Sequence, residues 1–303
     1  MTASYEKLKS NIPEFGCTSD RTKHCHTVPK LVLRNIANQN RILTYRKNRG
    51  NVLELKPRSI ESIGVVRNLY RNKVEGADLG YDARINKEYE TPFSQSPFWK
   101  KASKAKCFRD IRSISDDEIL AEVSFYQHLI DRSPVYNEIS APTLLDTLCS
   151  TEHVEILMDA ALRDPEYVLK DLYLNNVFSP GLFGSNISEV TIYISPIPLP
   201  ITAVPAVPDV LGLDKIGKFN RTRGRAIIPL SFNTFVGVTQ TETAPQRVKV
   251  HRKHLNPEQR RKIVDYMIAE FIVFDSILDI LVPDPCIYDL SRSRYLNRYY
   301  TFR

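Results

Sequence analysis

Apolar positions change their spacing twice along the chain, and the changes divide it into three regions. In residues 1–113 they come in short runs: Leu31-Val32-Leu33, Ile42-Leu43-Thr44-Tyr45, Val52-Leu53-Glu54-Leu55 and Ile63-Gly64-Val65-Val66. Asn, Gly, Pro or Arg bounds each run, which predicts short β-strands in a loop-rich region or extended arm. Between 114 and 179 the spacing turns helical. Ser115 and Glu118 form a capping box, with the serine oxygen accepting from the Glu118 amide and the carboxylate reaching back. Ile119, Leu120, Val123, Tyr126, Leu129 and Ile130 continue as one stripe, so a helix is predicted to end at Ser133-Pro134. Further helices are predicted from Ser140-Ala141-Pro142, over about Thr151 to Leu162, and from Asp164-Pro165, where proline occupies the first helical position.

From Val190 the pattern alternates again. Val190-Thr191-Ile192-Tyr193-Ile194 is β-branched and reads as a strand. Pro196, Pro198, Pro200, Pro205 and Pro208 follow within thirteen residues, which forbids helix and central strand and leaves an extended segment. The residues between these prolines are Ile, Leu, Ala and Val, more apolar than a surface linker needs. The segment is therefore expected in a groove of this fold or of a neighbour. Ile227 to Phe232 is a further strand, with Pro229 pointing to a sheet edge. Asn256-Pro257-Glu258 opens the longest predicted helix. Its core face is Ile263, Val264, Met267, Ile268, Phe271 and Ile272, joined by Leu278 and Leu281, and Pro283-Asp284-Pro285 stops it after Val282.

These elements give an α+β class. The predicted body has a four-helix acidic subdomain, short β-strands, one long C-terminal helix and extended N- and C-terminal arms. Its divisions are a basic loop- and β-rich arm region at 1–113, the acidic helices at 114–179, and a region of strands, long helix and Arg/Tyr tail at 180–303.

Charge sharpens that division. The net +7 of the 303 residues conceals +12 in 1–113, −10 in 114–179 and +5 in the remainder. Such an order suits either an acidic face that meets a neighbour's basic arm or a basic surface for nucleic acid. Glycine is scarce at 11 residues, leaving few places where backbone could wrap closely around a phosphate. The five cysteines are scattered, which predicts no disulfide framework and suits a reducing compartment. The first thirty residues show no secretory pattern. Asp265, Glu270, Asp275 and Asp279 interrupt the apolar span Ile263 to Val282, so it reads as a buried helix with no membrane partner.

Candidate chemistry is sparse. Cys17, His24, Cys25 and His26 are zinc-type ligands within ten residues, but without paired spacing, and the successive residues His24, Cys25 and His26 of an extended backbone would point to opposite sides. They read as a polar arm. Gly212 to Lys218 resembles a P-loop with Phe219 at the hydroxyl position that would hold magnesium, and reads as chance. His251 and His254 belong to a cationic run. Asp275 and Asp279, four apart on the long helix, read as its polar stripe. No catalytic, cofactor or metal residue is therefore assigned.

Two stretches interleave rings with cations: Phe98, Trp99, Lys100, Lys101, Lys104, Lys106 and Arg109, and, at the C-terminus, Arg292, Arg294, Tyr295, Arg298, Tyr299, Tyr300 and Arg303. Tyr, Trp and Arg are hot-spot residues of protein interfaces, and rings beside cations also suit single-stranded RNA. The expected function is a non-enzymatic structural subunit of a large protein assembly, most simply a viral capsid, clamp or cement protein laced to neighbours by its arms. Its expected location is host cytoplasm and virion. An RNA-binding nucleoprotein is the alternative.

Overall fold

The computed structural model describes residues 24–48, 50–67, 85–133, 186–208, 225–241, 245–273, 277–286 and 288–303. The fold is α+β. The strands are β1 (His24–His26), β2 (Arg41–Asn48), β3 (Val52–Ser59), β4 (Val65–Arg67), β5 (Asn186–Ile194), β6 (Ile201–Thr202), β7 (Val207–Pro208), β8 (Arg225–Pro229), β9 (Thr234–Thr241), β10 (Lys249–His254), β11 (Asp279–Val282) and β12 (Thr301–Phe302). The helices are α1 (Lys30–Ile36), α2 (Thr91–Gln95), α3 (Pro97–Ala102), α4 (Phe108–Arg112), α5 (Asp116–Leu120), α6 (Val123–Arg132), α7 (Pro257–Val273) and α8 (Arg294–Tyr299). A π-helical stretch at Asn86–Glu90 leads into α2.

Two five-stranded sheets carry the body, ordered β10-β5-β9-β8-β7 in the first and β12-β3-β2-β11-β6 in the second. In the first, β9 is buried along most of its length and pairs antiparallel with both β5 and β8. The Tyr193 ring lies across Gly237 of β9, where an added Cβ would sit 2.5 Å from a ring carbon. In the second, β2 and β3 form a hairpin whose turn places Gly50 at φ +79° and Asn51 at φ +57°. Those left-handed conformations favour Gly and Asn. The proline segment links the two sheets: β6 pairs with β11 in the second, and β7 with β8 in the first.

Several elements depart from the sequence reading. Leu31-Val32-Leu33 lies in α1, because Pro29 opens a helical turn that buries Val32 and Leu33; three apolar residues alone fit either period. Ile63-Gly64 is a turn, with Gly64 at φ +59°, and pairing starts at Val65. Residues 91–112 carry the three short helices α2, α3 and α4 rather than loop and strand, with Pro92 and Pro97 in the first turns of α2 and α3. The Ser115 capping box is present, but its stripe breaks at Ala121-Glu122 into α5 and α6. The long helix is described to Val273, and Asp279–Val282 forms strand β11 where the helix was expected to run on to Val282. Burial between β2 and β6 decides that strand, with Asp279 neutralised by Arg46. The helices predicted from Ser140, over Thr151 to Leu162 and from Asp164, and the P-loop-like Gly212 to Lys218, lie outside the described residues.

Candidate functional site

The first ring-and-cation stretch owes its geometry to the Ser96-Pro97 start of α3, where Ser96 Oγ accepts from the Trp99 amide at 3.1 Å. That turn aims Phe98 and Trp99 inward, where both are buried. Phe93 lies 5.3 Å from Trp99 and stacks on Phe125 at 3.8 Å, while Phe98 meets Tyr126 edge-on at 5.9 Å. These rings are core and offer no face to a base. Lys101 donates to both Glu118 oxygens at 2.7 and 2.9 Å, tying α3 to α5. Lys100, Lys104, Lys106 and Arg109 stay on the surface.

The proline segment is packed within this fold. Leu199, Ile201, Ala203, Val204, Ala206 and Val207 are buried, and the Leu199 amide donates to Phe232 O at 2.8 Å. Pro200 and Pro205 are buried, Pro198 is half-buried and Pro196 is exposed; Pro208 ends β7. His26 of β1 also serves the interior. His26 is buried with Nδ1 3.2 Å from Ile63 O, and burial holds its pKa below the usual value. Cys17 lies outside the described residues, among which no three His, Cys, Asp or Glu side chains gather as a metal would require. In the cationic run, His251 sits 3.7 Å from Glu189, and Arg252 binds Ile111 O and Ile114 O at 3.1 Å and Asp116 at 2.8 Å. Arg252 thus fastens α4 and α5 to β10, its guanidinium completing carbonyls at a helix end.

The second stretch differs, because it folds back without losing its surface. Ser293 caps α8, Leu296 is its fully buried anchor, and the Tyr300 amide donates to Leu296 O at 2.8 Å. Tyr300 then packs 5.7 Å from Phe271 of α7, and Phe302 meets Tyr45 edge-on at 5.4 Å. Strand β12 pairs parallel with β3, and Arg303 exchanges backbone bonds with Leu53 and Leu55. The expected extended C-terminal arm is therefore a docked edge, because these aromatics gain more from burial than from solvent.

Docking leaves one side of α8 outward. Tyr295 is 59% exposed and Tyr299 51%. Across from Tyr295, α7 contributes Arg261, Val264, Asp265 and Ile268, spaced as one helical stripe. Between α7 and α8 runs a cleft of about 800 Å3, walled also by Tyr288, Asp289, Leu290 and Arg292. Asp289 accepts from Ser291, which lowers its pKa, and it holds Arg292 at 3.0 Å. Asp265 lies 3.8 Å from Arg261. Arg294 and Arg298 have no ion-pair partner among the described residues. Burial pushes the nearby Cys286 thiol up, so it stays protonated and is no activated nucleophile. The chemistry on offer is anion recognition beside an aliphatic floor.

Sequence reasoning missed a buried polar band beneath α6. Gln127 donates to Asp131 at 2.8 Å and receives a bond from Gln240 at 2.9 Å; Arg132 binds Glu90 at 2.7 Å and His26 O at 2.6 Å. His128 stacks on Tyr89 at 4.0 Å. Polar residues opposite an apolar stripe read as a wet face, so the pattern carries no signal for this band. No protein-family model, curated protein or solved structure matches the chain.

Proposed function

We propose that the chain is a non-enzymatic structural subunit of a large protein assembly that meets its neighbours through the face carrying its docked C-terminal segment. One observation carries this reading. The exposed large apolar side chains among the described residues are Leu55, Val273, Leu278, Tyr295 and Tyr299, all on the second sheet, α7 or α8, or, for Leu278, just before β11. Contacts knit those elements together: Lys47 donates to Leu278 O, its ammonium lies 4.5 Å over Phe271, and Phe271 packs on Tyr300. Exposed aromatic and aliphatic groups ringed by arginine have the composition of a protein interface.

A viral capsid, clamp or cement subunit is the form this proposal takes, with the acidic segment 114–179 of one subunit facing a basic surface of the next. RNA is the second reading, favoured by Arg294 and Arg298 standing beside exposed Tyr295. Sedimentation of the chain from the cells that make it tests both. The proposal expects the protein in fast-sedimenting particles that resist ribonuclease, and Tyr295→Ser/Tyr299→Ser to move it to the top of the gradient. A slow-sedimenting wild type ends the assembly reading, and release by ribonuclease replaces it with the nucleoprotein.

A further inference from the structure

The cleft between α7 and α8 is uneven in charge. Arg261 and Arg292 face their own carboxylates, at 3.8 and 3.0 Å, whereas Arg294 and Arg298 have no ion-pair partner among the described residues. Those two lie one helical turn apart, on neighbouring positions of the same face. Guanidinium is a planar fork suited to oxyanions, and it is charged at every physiological pH. The floor between the cations is aliphatic: Val264, Ile268 and Leu290.

We infer that this cleft holds an acidic peptide segment of a neighbouring protein, with carboxylates on Arg294 and Arg298 and an aliphatic side chain seated on Val264, Ile268 and Leu290. The inference rests on the C-terminal face being a protein-contact surface, and it adds the chemistry of the partner. Nucleic acid fits this cleft less well. A strand carries a charge at every phosphate, which would press several of them against Asp265 and Asp289 as well. The aliphatic floor gives bases no ring to stack on, and of the cleft's two tyrosines Tyr288 is half-buried, so a run of bases would have the single exposed ring of Tyr295. A peptide with spaced carboxylates and an apolar residue between them avoids both costs.

The test is fluorescence anisotropy on the full chain at low and moderate salt. The probes are a labelled synthetic peptide of about twelve residues, with glutamates four apart and leucines between, its glutamine analogue, and polyuridine RNA. The acidic peptide is expected to bind, the glutamine analogue not to bind, and Arg294→Glu/Arg298→Glu to weaken the peptide roughly tenfold or more. That variant should melt as wild type does, since both side chains are exposed. RNA that displaces the peptide, a glutamine analogue that binds as tightly as the acidic peptide, or an acidic peptide that does not bind overturns the inference. If particle sedimentation still depends on Tyr295 and Tyr299 while the peptide fails, the contact-face reading stands and this inference falls alone.

Discussion

Asp279 shows how far one residue's meaning depends on where the chain takes it. Read four residues after Asp275, it is half of a polar stripe on a helix; Asp275 lies outside the described residues. In the fold Asp279 sits on β11 with a side chain only 1% exposed, and Arg46 grips it through two bonds at 2.6 and 2.7 Å. The same guanidinium donates to Ser62 O at 2.6 Å, so one pair with a buried carboxylate and a half-buried arginine joins β2, β11 and the turn before β4. Removing one partner strands the other, so Asp279→Asn is expected to cost roughly 3 kcal/mol in urea unfolding. A loss well under 1 kcal/mol would show that the pair does not hold this junction. Asp131 makes the opposite case, because burial pushes its carboxyl up to about 7 and the Gln127 bond opposes that only in part. A carboxyl raised on folding favours the protonated native state. Its contribution is complete below the unfolded pKa near 4 and is lost as pH rises through about 7, at no more than about 1.4 kcal/mol per pH unit. Burial raises Glu122 and Glu270 in the same direction, so the comparison must be with a variant. Between pH 5 and 8 the melting temperature should fall further in wild type than in Asp131→Asn. Parallel curves would show that Asp131 is ionised throughout.

At the scale of elements, legibility followed the strength of the local signal. The Ser115 capping box, the Val190 to Ile194 alternation and the apolar run at Ile42 are strong local patterns, and each lies in the element it predicts. The start of α7 was legible for a further reason that its sequence carries. Asn256 Oδ1 accepts from the Gln259 amide at 2.8 Å, and Gln259 Oε1 accepts from the Asn256 amide at 3.0 Å. Its end was not legible, because Leu278 and Leu281 continue the helical spacing while the choice of strand depends on β2 and β6, more than seventy residues away in sequence. The C-terminal segment was misread for a similar reason. Nothing local tells Arg/Tyr residues that β3 offers a free edge, so a tail was expected where β12 docks. Truncation before Thr301 should therefore do more than shorten an arm. It removes the Phe302 contact with Tyr45 and uncovers the fully buried Leu53, at an expected cost of about 1–3 kcal/mol. Faster proteolysis within β2 and β3 should accompany it. An unchanged melting temperature would mean that the segment is a passenger on the sheet edge.

For the whole molecule, the question is whether association follows net charge or one face. The two ring-and-cation stretches looked alike in sequence, and only folding separated them: Phe98 and Trp99 went into the core, while Tyr295 and Tyr299 stayed outside. Periodicity could have hinted at the first, since Phe93, Phe98 and Trp99 flank two helix starts, but no spacing rule marks the second. The separation permits a decisive charge experiment. Lys100→Glu/Lys104→Glu/Lys106→Glu removes six units from the net +7 without touching an ion pair seen among the described residues. Arg294→Glu/Arg298→Glu removes only four. If cations act through the summed field, the triple variant should weaken particle association more, with a strong dependence on ionic strength for both. If the cleft face makes the contact, the smaller change should be the damaging one. The triple variant would then sediment with wild type, because its lysines project from helices α3 to α4 that pack with α5 and the first sheet rather than from the second sheet's face. We expect the double variant to lose association and the triple variant to keep it. The reverse order would return the cations to a diffuse role and remove the reason for placing the contact beside α8.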